Sequence, residues 1–247
     1  MNDEQLLRYS RHLMLTGFDV AGQEALLAAR VLVVGLGGLG SPAAMYLAAA
    51  GVGRLVLADD DTVDLSNLQR QIAHTTAALG RNKAASARDT LLALNPTIEV
   101  ELLETRLEAE ALDAAVAAAD VVLDCTDNFR TRFALSAACR RQGVPLVSGA
   151  AIRAEAQLTV FDPRDPDSPC YHCLYQESEE LDLSCSTNGV LAPLVGIIGS
   201  LQALECIKLL SGFGRPLVGR LLLLDAASLQ MRTLTLQRNP DCPQCRD

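Results

Sequence analysis

The chain has no run of lysine and arginine long enough to follow a nucleic-acid backbone, and its 247 residues carry a formal net charge of -9. DNA and RNA are therefore not expected partners. A secretion signal is also missing: Met1 to Ser10 (MNDEQLLRYS) is acidic and polar where an apolar segment would be needed. No apolar run of membrane-spanning length is uninterrupted. The longest, Leu191 to Leu210, contains Gln202, Glu205 and Lys208, which cost too much at a bilayer centre. It reads as a buried helix with an amphipathic end. Internal repeats are absent, and so are low-complexity tracts beyond Ala-rich helical stretches. These absences leave a soluble, cytoplasmic protein as the expectation, without a membrane partner. At 49% hydrophobic and 21% charged residues it has ample material for a core.

What is present begins with a βαβ rhythm. Arg30 to Gly35 is a short apolar, β-branched run ending in glycine, and Ser41 to Ala50 is Ala-rich and helical in composition. Ser41 followed by Pro42 predicts an N-cap with proline in the first helical position. Arg54 to Asp59, Thr97 to Leu103, Asp120 to Thr126 and Val144 to Ala150 read as further strands. Helices are expected over Lys83 to Leu94 and Phe129 to Arg141. From Ala151 hairpins replace crossovers, with strand-like segments at Gln157 to Asp162, Gly219 to Asp225 and Met231 to Gln237. Asp162 to Pro169 and Gln176 to Ser186 are polar and rich in turn formers, and read as loops. The expected fold is α/β: a Rossmann-like, mostly parallel sheet with helices on both faces, continued by an antiparallel C-terminal half. Residues 1-247 are expected to form one domain, with a nucleotide-binding half over 1-150 and a second, partner- and metal-binding half over 151-247.

Gly35-Leu36-Gly37-Gly38-Leu39-Gly40 fits the G-x-G-x-x-G pattern between a strand and a helix, where backbone N-H groups can meet phosphate. Asp59, followed by Asp60 and Asp61, stands where an acid for ribose hydroxyls is expected. The glycines alone do not name the nucleotide. Asn67-Leu68-Gln69-Arg70 and Lys83 put two cations and an amide at the same sheet edge, which favours a triphosphate; the alternative is that Arg70 and Lys83 are solvated surface residues. Asp124-Cys125-Thr126-Asp127-Asn128 ends a later strand at the ligand-binding edge of such sheets. Asp127 there is a candidate Mg²⁺ ligand or an N-cap for the following helix.

Of eight cysteines, four form two C-x-x-C pairs, Cys170/Cys173 and Cys242/Cys245. Two distant pairs predict one shared tetrahedral zinc site that staples the C-terminus to the body. His172, inside the first pair, is an ordinary loop histidine in this reading, because four thiolates already close the site. Cys125, Cys139 and Cys206 lie in apolar contexts and belong to the core. Cys185 lies in a polar loop, either as a reactive thiol and candidate nucleophile or simply as an exposed one.

In order along the chain, Arg8-Tyr9-Ser10-Arg11, Gly35 to Gly40, Asp59 with Asp61, Leu65-Ser66-Asn67-Leu68-Gln69-Arg70-Gln71, Gly80 to Lys83, Asp124 to Asn128 and both C-x-x-C pairs resemble the MoeB/ThiF family, bacterial relatives of the ubiquitin-activating enzymes. The resemblance spans essentially the whole chain. It implies an adenylyltransferase that uses ATP to activate the C-terminal carboxylate of a ubiquitin-like sulfur-carrier protein ending in Gly-Gly. It implies that Gly38, Asp59, Asn67, Arg70 and Lys83 contact ATP, within a binding set that also takes in Asp61, Ser66, Leu68, Gln69, Thr126, Asp127 and Asn128. Asp127 becomes the Mg²⁺-linked catalytic aspartate, and Arg11 reaches the neighbouring subunit's site in a homodimer. A separate sulfur donor protein would convert the adenylate to a thiocarboxylate.

The chemistry suits these residue types. A C-terminal carboxylate is ionised at neutral pH and needs no general base, so Arg11, Arg70, Lys83 and Mg²⁺ supply positive charge. Within the family, Ser148 to Arg153 resembles the molybdopterin-synthase arm, whereas Cys185 matches the linking cysteine of the thiamine arm; the molybdopterin type is the expectation. Two rivals remain. An NAD-dependent oxidoreductase would explain the glycine loop and Asp59 but give Asp127 and the paired cysteines nothing to do. A non-catalytic module binding a ubiquitin-like protein through its C-terminal half would not need the phosphate ligands.

Overall fold

A computed structural model describes residues 1-176 and 189-245. Eight strands form one sheet in the order β3-β2-β1-β4-β5-β6-β7-β8. They are β1 Arg30–Val34, β2 Arg54–Ala58, β3 Glu99–Leu103, β4 Val121–Asp124, β5 Leu146–Ile152, β6 Glu155–Phe161, β7 Arg220–Asp225 and β8 Gln230–Thr235. The first five are parallel. From β5 onward every pairing is antiparallel. The change from parallel to antiparallel pairing comes at β5.

Helices cover both faces, which explains why the central strands are near-continuous apolar runs. Val31 and Val33 of β1 point to one face, packed with Leu26 of α3 (Asp19–Ala28), Leu47 of α4 (Gly40–Ala50), Leu91 of α5 (Lys83–Leu94) and Ile198 of α9 (Ala192–Ser211). Leu32 and Val34 point to the other, packed with Val116 of α6 (Ala109–Ala117) and Phe133 and Leu135 of α7 (Phe129–Gln142). Two short N-terminal helices, α1 (Asp3–Arg8) and α2 (Ser10–Leu13), precede α3, and α8 (Tyr171–Leu174) follows β6.

Helix α9 is long and apolar enough to cross a membrane by length and composition, yet it packs against α4, β5 and β6 within the fold. Its polar residues have specific partners. Gln202 Nε2 donates to the Asp124 carbonyl at 2.7 Å, and Glu205 accepts from the Leu217 N–H at 2.7 Å and pairs with Lys208.

One local expectation is corrected. Helix α4 starts at Gly40, with Leu39 as N-cap, so Ser41 is not the cap and Pro42 is not in the first helical position. The tight glycine turn already supplies helical bonding, with Ser41 N donating to Gly37 O at 3.0 Å. Pro42 then sits third, where its missing N–H costs nothing.

Candidate active site

The strand order reverses between β1 and β4, and ligands in open α/β sheets bind at such a switch point, beyond the carboxyl ends of the strands. The glycine loop leaves β1 there. Gly35 has φ +89°, and a Cβ on Gly40 would lie 1.8 Å from Gly35 O, so no side chain fits the turn. Gly37 and Gly38 line the cleft beside the N-terminus of α4. Among the described residues their N–H groups donate to no backbone acceptor. Free amides at a helix start are suited to an anion.

Asp59, at the end of β2, closes one side of the cleft. Its carboxylate accepts the Leu36 N–H at 2.6 Å and the Asp61 N–H at 2.9 Å. Burial nevertheless holds it above the ordinary carboxylate range, against the pull of those N–H donors and of Lys83. A partly buried, ionised carboxylate is poised to take further donors. The loop after β2 is tied to α5 by Asn82, which caps the helix through Ala85 N and donates to the Asp59 and Asp61 carbonyls. This places Lys83 Nζ 2.9 Å from Asp61 Oδ2. Lys83 is only 6% exposed, so the solvated-surface reading fails for it. Its helix position, fixed by the Asn82 cap, turns it inward.

Arg70 lines the cleft, and Asn67 stands behind it, its Oδ1 accepting from Arg70 Nη2 and Gln71 Nε2 at 3.2 Å each. Asn67 therefore orients cleft residues without lining the cleft itself. Ser66 bonds to Asp64, Leu68 is half-buried and Gln69 is exposed; none of the three lines the cleft.

On the opposite side, Asp124 is fully buried at the end of β4. It accepts from Thr126 N and Oγ1 at 3.1 and 2.7 Å and from Ser148 Oγ at 3.0 Å, and it lies 3.9 Å from Arg132 Nε. These bonds fix the turn that presents Thr126, Asp127 and Asn128 to the cleft. Asn128, not Asp127, caps α7, its side chain accepting from Thr131 N at 2.9 Å. The N-cap alternative for Asp127 is thus overturned, and its exposed carboxylate is left facing the cleft. A hard-cation ligand at this place fits Mg²⁺, which takes one or two carboxylates plus phosphate oxygens.

A second groove, of about 540 Å³, joins the cleft at Asp127, Arg132 and Ala151. It runs over the antiparallel strands, along Ile152, Gln157, Leu223 and Arg232. Arg11 is elsewhere: on α2 it is exposed, with Nη1 4.0 Å from Met14 Sδ. It does not line the cleft of its own chain.

Gln71, quoted from the sequence only within the motif around Arg70, and Arg106 and Arg132 also line the cleft and had been given no role there. Gln71 is buried against the glycine loop. Arg106, just past β3, pairs with Asp60 at 3.6 Å. Arg132, one turn into α7, donates to the Thr126 carbonyl at 2.7 Å. The available signal was positional, since both arginines follow the carboxyl ends of parallel strands.

The four paired cysteines converge, with all Sγ atoms within 4.8 Å of one another. Cys170 and Cys242, like Cys173 and Cys245, are 3.6 Å apart. Tetrahedral zinc with bonds of about 2.3 Å requires sulfurs about 3.8 Å apart, so the thiols fit that ion. Asn239 N–H donates to Cys173 Sγ, and Arg140 of α7 donates to the Cys245 carbonyl. Cys125, Cys139 and Cys206 are buried as expected. His172 packs against Phe133 with the rings tilted at 53° and their centroids 4.6 Å apart. Cys185 lies outside the described residues.

A glycine loop, a strand-end acid and a buried lysine at the switch point of a doubly wound sheet place the molecule among the nucleotide-binding-type α/β proteins. More narrowly, the chain belongs to the ThiF family, whose model matches residues 9-244. It is 52% identical over 245 residues to the molybdopterin-synthase adenylyltransferase of Escherichia coli, covering 99% of this chain and 98% of that one. It is 51% identical, over 99% of this chain and 97% of the relative, to the sulfur carrier protein ThiS adenylyltransferase of the same organism. The SAMP-activating enzyme E1 of Haloferax volcanii is 47% identical, at 98% and 89% coverage. Among solved structures, E. coli MccB matches with a TM-score of 0.85 at 23% identity, covering 100% of this chain and 74% of that one; this likeness concerns the fold.

Proposed function

We propose that this chain adenylates the C-terminal carboxylate of a ubiquitin-like sulfur-carrier protein with ATP. The observation that carries the reading is the meeting of two spaces at Asp127. The nucleotide-type cleft, with its amides, Arg70 and Lys83, joins a groove that runs over the antiparallel strands and suits an extended peptide tail. Relatives named as adenylyltransferases of molybdopterin synthase and of ThiS support it at full length. Nothing in these likenesses favours an NAD-dependent oxidoreductase or a non-catalytic module.

In this reading the Gly37 and Gly38 amides, Arg70 and Lys83 bind the phosphates, and Asp59 accepts from ribose hydroxyls. Asn67, with Ser66, Leu68 and Gln69 on the same turn, keeps Arg70 and Gln71 in place. Thr126 and Asn128 hold the segment that carries Asp127. The terminal carboxylate of the carrier, ideally the second residue of a Gly-Gly end, lies in the groove and directs one oxygen at the α-phosphorus. A new O–P bond forms as the bond from the α-phosphorus to the bridging oxygen breaks, and pyrophosphate departs with that oxygen. No proton is consumed, because the attacking group is already ionised. The cations lower the barrier by offsetting charge on the leaving group. Asp127 would hold Mg²⁺, which supplies further charge neutralisation when bound. The four cysteines would hold zinc, whose contribution is structural.

A cytoplasmic homodimer completes the proposal. Leu7 of α1, Met14 and Leu15 of the turn after α2, and Val20 of α3 are exposed apolar residues flanking the helix that carries Arg11, which suits burial against a second copy and delivery of Arg11 to its cleft. A molybdopterin-type carrier is the proposed substrate, followed by transfer from a separate sulfur donor, with Cys185 a candidate for a covalent link to the carrier. The near-equal identity to the ThiS enzyme supports a thiamine-type carrier as the second reading. Intact-mass analysis of each carrier after incubation with the protein and ATP tests this. Addition of one adenylyl group to the molybdopterin-type carrier, and none when its last glycine is deleted, is expected; addition only to the thiamine-type carrier would establish the second reading.

A further inference from the structure

His74 is 6% exposed and belongs to no catalytic step, yet it touches the glycine loop directly. Its Nε2 lies 2.9 Å from the Leu36 carbonyl and its Nδ1 lies 3.0 Å from Ser86 Oγ. A carbonyl only accepts, so Nε2 carries the proton, and Ser86 on α5 donates to Nδ1 and fixes that tautomer. Ser41 Oγ donates to the same Leu36 carbonyl at 3.2 Å. On the other side of the Leu36 Cα, the Leu36 N–H is held by Asp59 at 2.6 Å. Both peptide planes flanking Leu36 are thereby gripped.

The consequence follows from peptide planarity. In a trans peptide the carbonyl and the next N–H point in opposite directions. With the Leu36 carbonyl held inward by His74, the Gly37 N–H is directed away from it, and Gly37 lines the cleft. Glycine at 37 would otherwise allow this peptide to flip at little cost.

We propose that His74 is a positioning residue for nucleotide binding: through the Leu36 carbonyl it locks the Leu36–Gly37 peptide so that the Gly37 N–H is presented to a phosphate. The proposal rests on the nucleotide reading of the cleft. Burial also pulls His74 below the ordinary histidine range, and nearby Lys83 disfavours a second positive charge, so the imidazole stays neutral at assay pH. The neighbouring charged groups are thus Lys83 on α5 and Asp59 across Leu36.

The test compares ATP affinity in His74→Ala, His74→Gln and His74→Asn, using calorimetric titration of the full chain with Mg·ATP. Glutamine places an N–H near the Nε2 position, whereas asparagine places it near Nδ1. Loss of the lock is expected to weaken ATP binding about tenfold or more in His74→Ala and His74→Asn, the equivalent of one charge-facing hydrogen bond. His74→Gln should bind within about threefold of the unsubstituted protein. Leu91→Ala, which removes a fully buried core side chain of α5 that makes no hydrogen bond to the loop, controls for loss of stability and should leave ATP affinity unchanged. Equal affinity in His74→Ala, or equal weakening in His74→Gln and Leu91→Ala, would overturn the positioning role while leaving the nucleotide reading intact. Absence of ATP binding by the unsubstituted chain would overturn the nucleotide reading and the role with it.

Discussion

Lys83 and Asp61 face each other at 2.9 Å at the side of the cleft, the lysine side chain 8% exposed and the aspartate 71% exposed. The burial is one-sided, so the two partners respond differently to substitution. Removing the lysine leaves Asp61 in water, which costs little, and takes a favourable charge from partly buried Asp59. Removing the aspartate charge leaves a buried ammonium without its partner. Lys83→Ala is expected to lose roughly 10²-10³-fold in adenylation rate, far more than any modest fall in melting temperature explains. Asp61→Asn is expected to lower the melting temperature by roughly 2–4 °C and to retain most activity if a phosphate replaces the carboxylate as the partner of Lys83. Paired thermal melts and rate measurements check both, and a Lys83→Ala variant of normal activity would remove Lys83 from the site.

Asp59 gives a prediction of opposite sign for stability and for function. Its folded-state pKa lies above the unfolded value because burial opposes the charge. The folded state therefore binds a proton more readily, and the stabilisation present below the unfolded value is lost as pH rises through the folded one. At neutral pH the ionised side chain is a cost that Asp59→Asn removes. That variant is expected to melt at the same temperature as the parent or higher without ATP. The extra stability that ATP confers, about 2.7 kcal/mol at one hundred times Kd, should shrink. A melting temperature lowered without ATP and a full ATP response would contradict the ribose-acceptor role.

The sulfur cluster predicts about one zinc per chain by elemental analysis. Cys242→Ser, at a fully buried position, should lose the metal and melt well below the parent. Because Arg140 of α7 bonds to the Cys245 carbonyl, the disturbance should reach α7 and be visible as faster amide exchange there. A metal-free chain with all its thiols titratable and an unchanged melting temperature would remove zinc from the account.

The sheet was legible because burial on both faces writes strands such as Val31 to Val34 as unbroken apolar runs, and the glycine loop was legible because only glycine fits its turn. The cysteine pairs were legible through spacing. Side-chain burial was not: most lysines are exposed, and only the Asn82 cap and its bonds to the Asp59 and Asp61 carbonyls turn Lys83 inward. The helix start was misjudged because Ser41 and Pro42 are good local signals, overridden by hydrogen bonding within the glycine turn. The role of His74 was hidden because its partners, Leu36 and Ser86, lie 38 and 12 residues away. Arg132 was missed for a related reason, since its proximity to Asp124 depends on how α7 packs against β4.

The most direct test of the central claim is exchange of labelled pyrophosphate into ATP, measured with and without a carrier ending in Gly-Gly. Reversible adenylation predicts exchange that requires the carrier, disappears when its terminal glycine is removed, and falls roughly 10²-fold or more in Asp127→Ala. No exchange with either a molybdopterin-type or a thiamine-type carrier, from a folded protein shown to bind ATP, would contradict the proposed adenylation of these carriers.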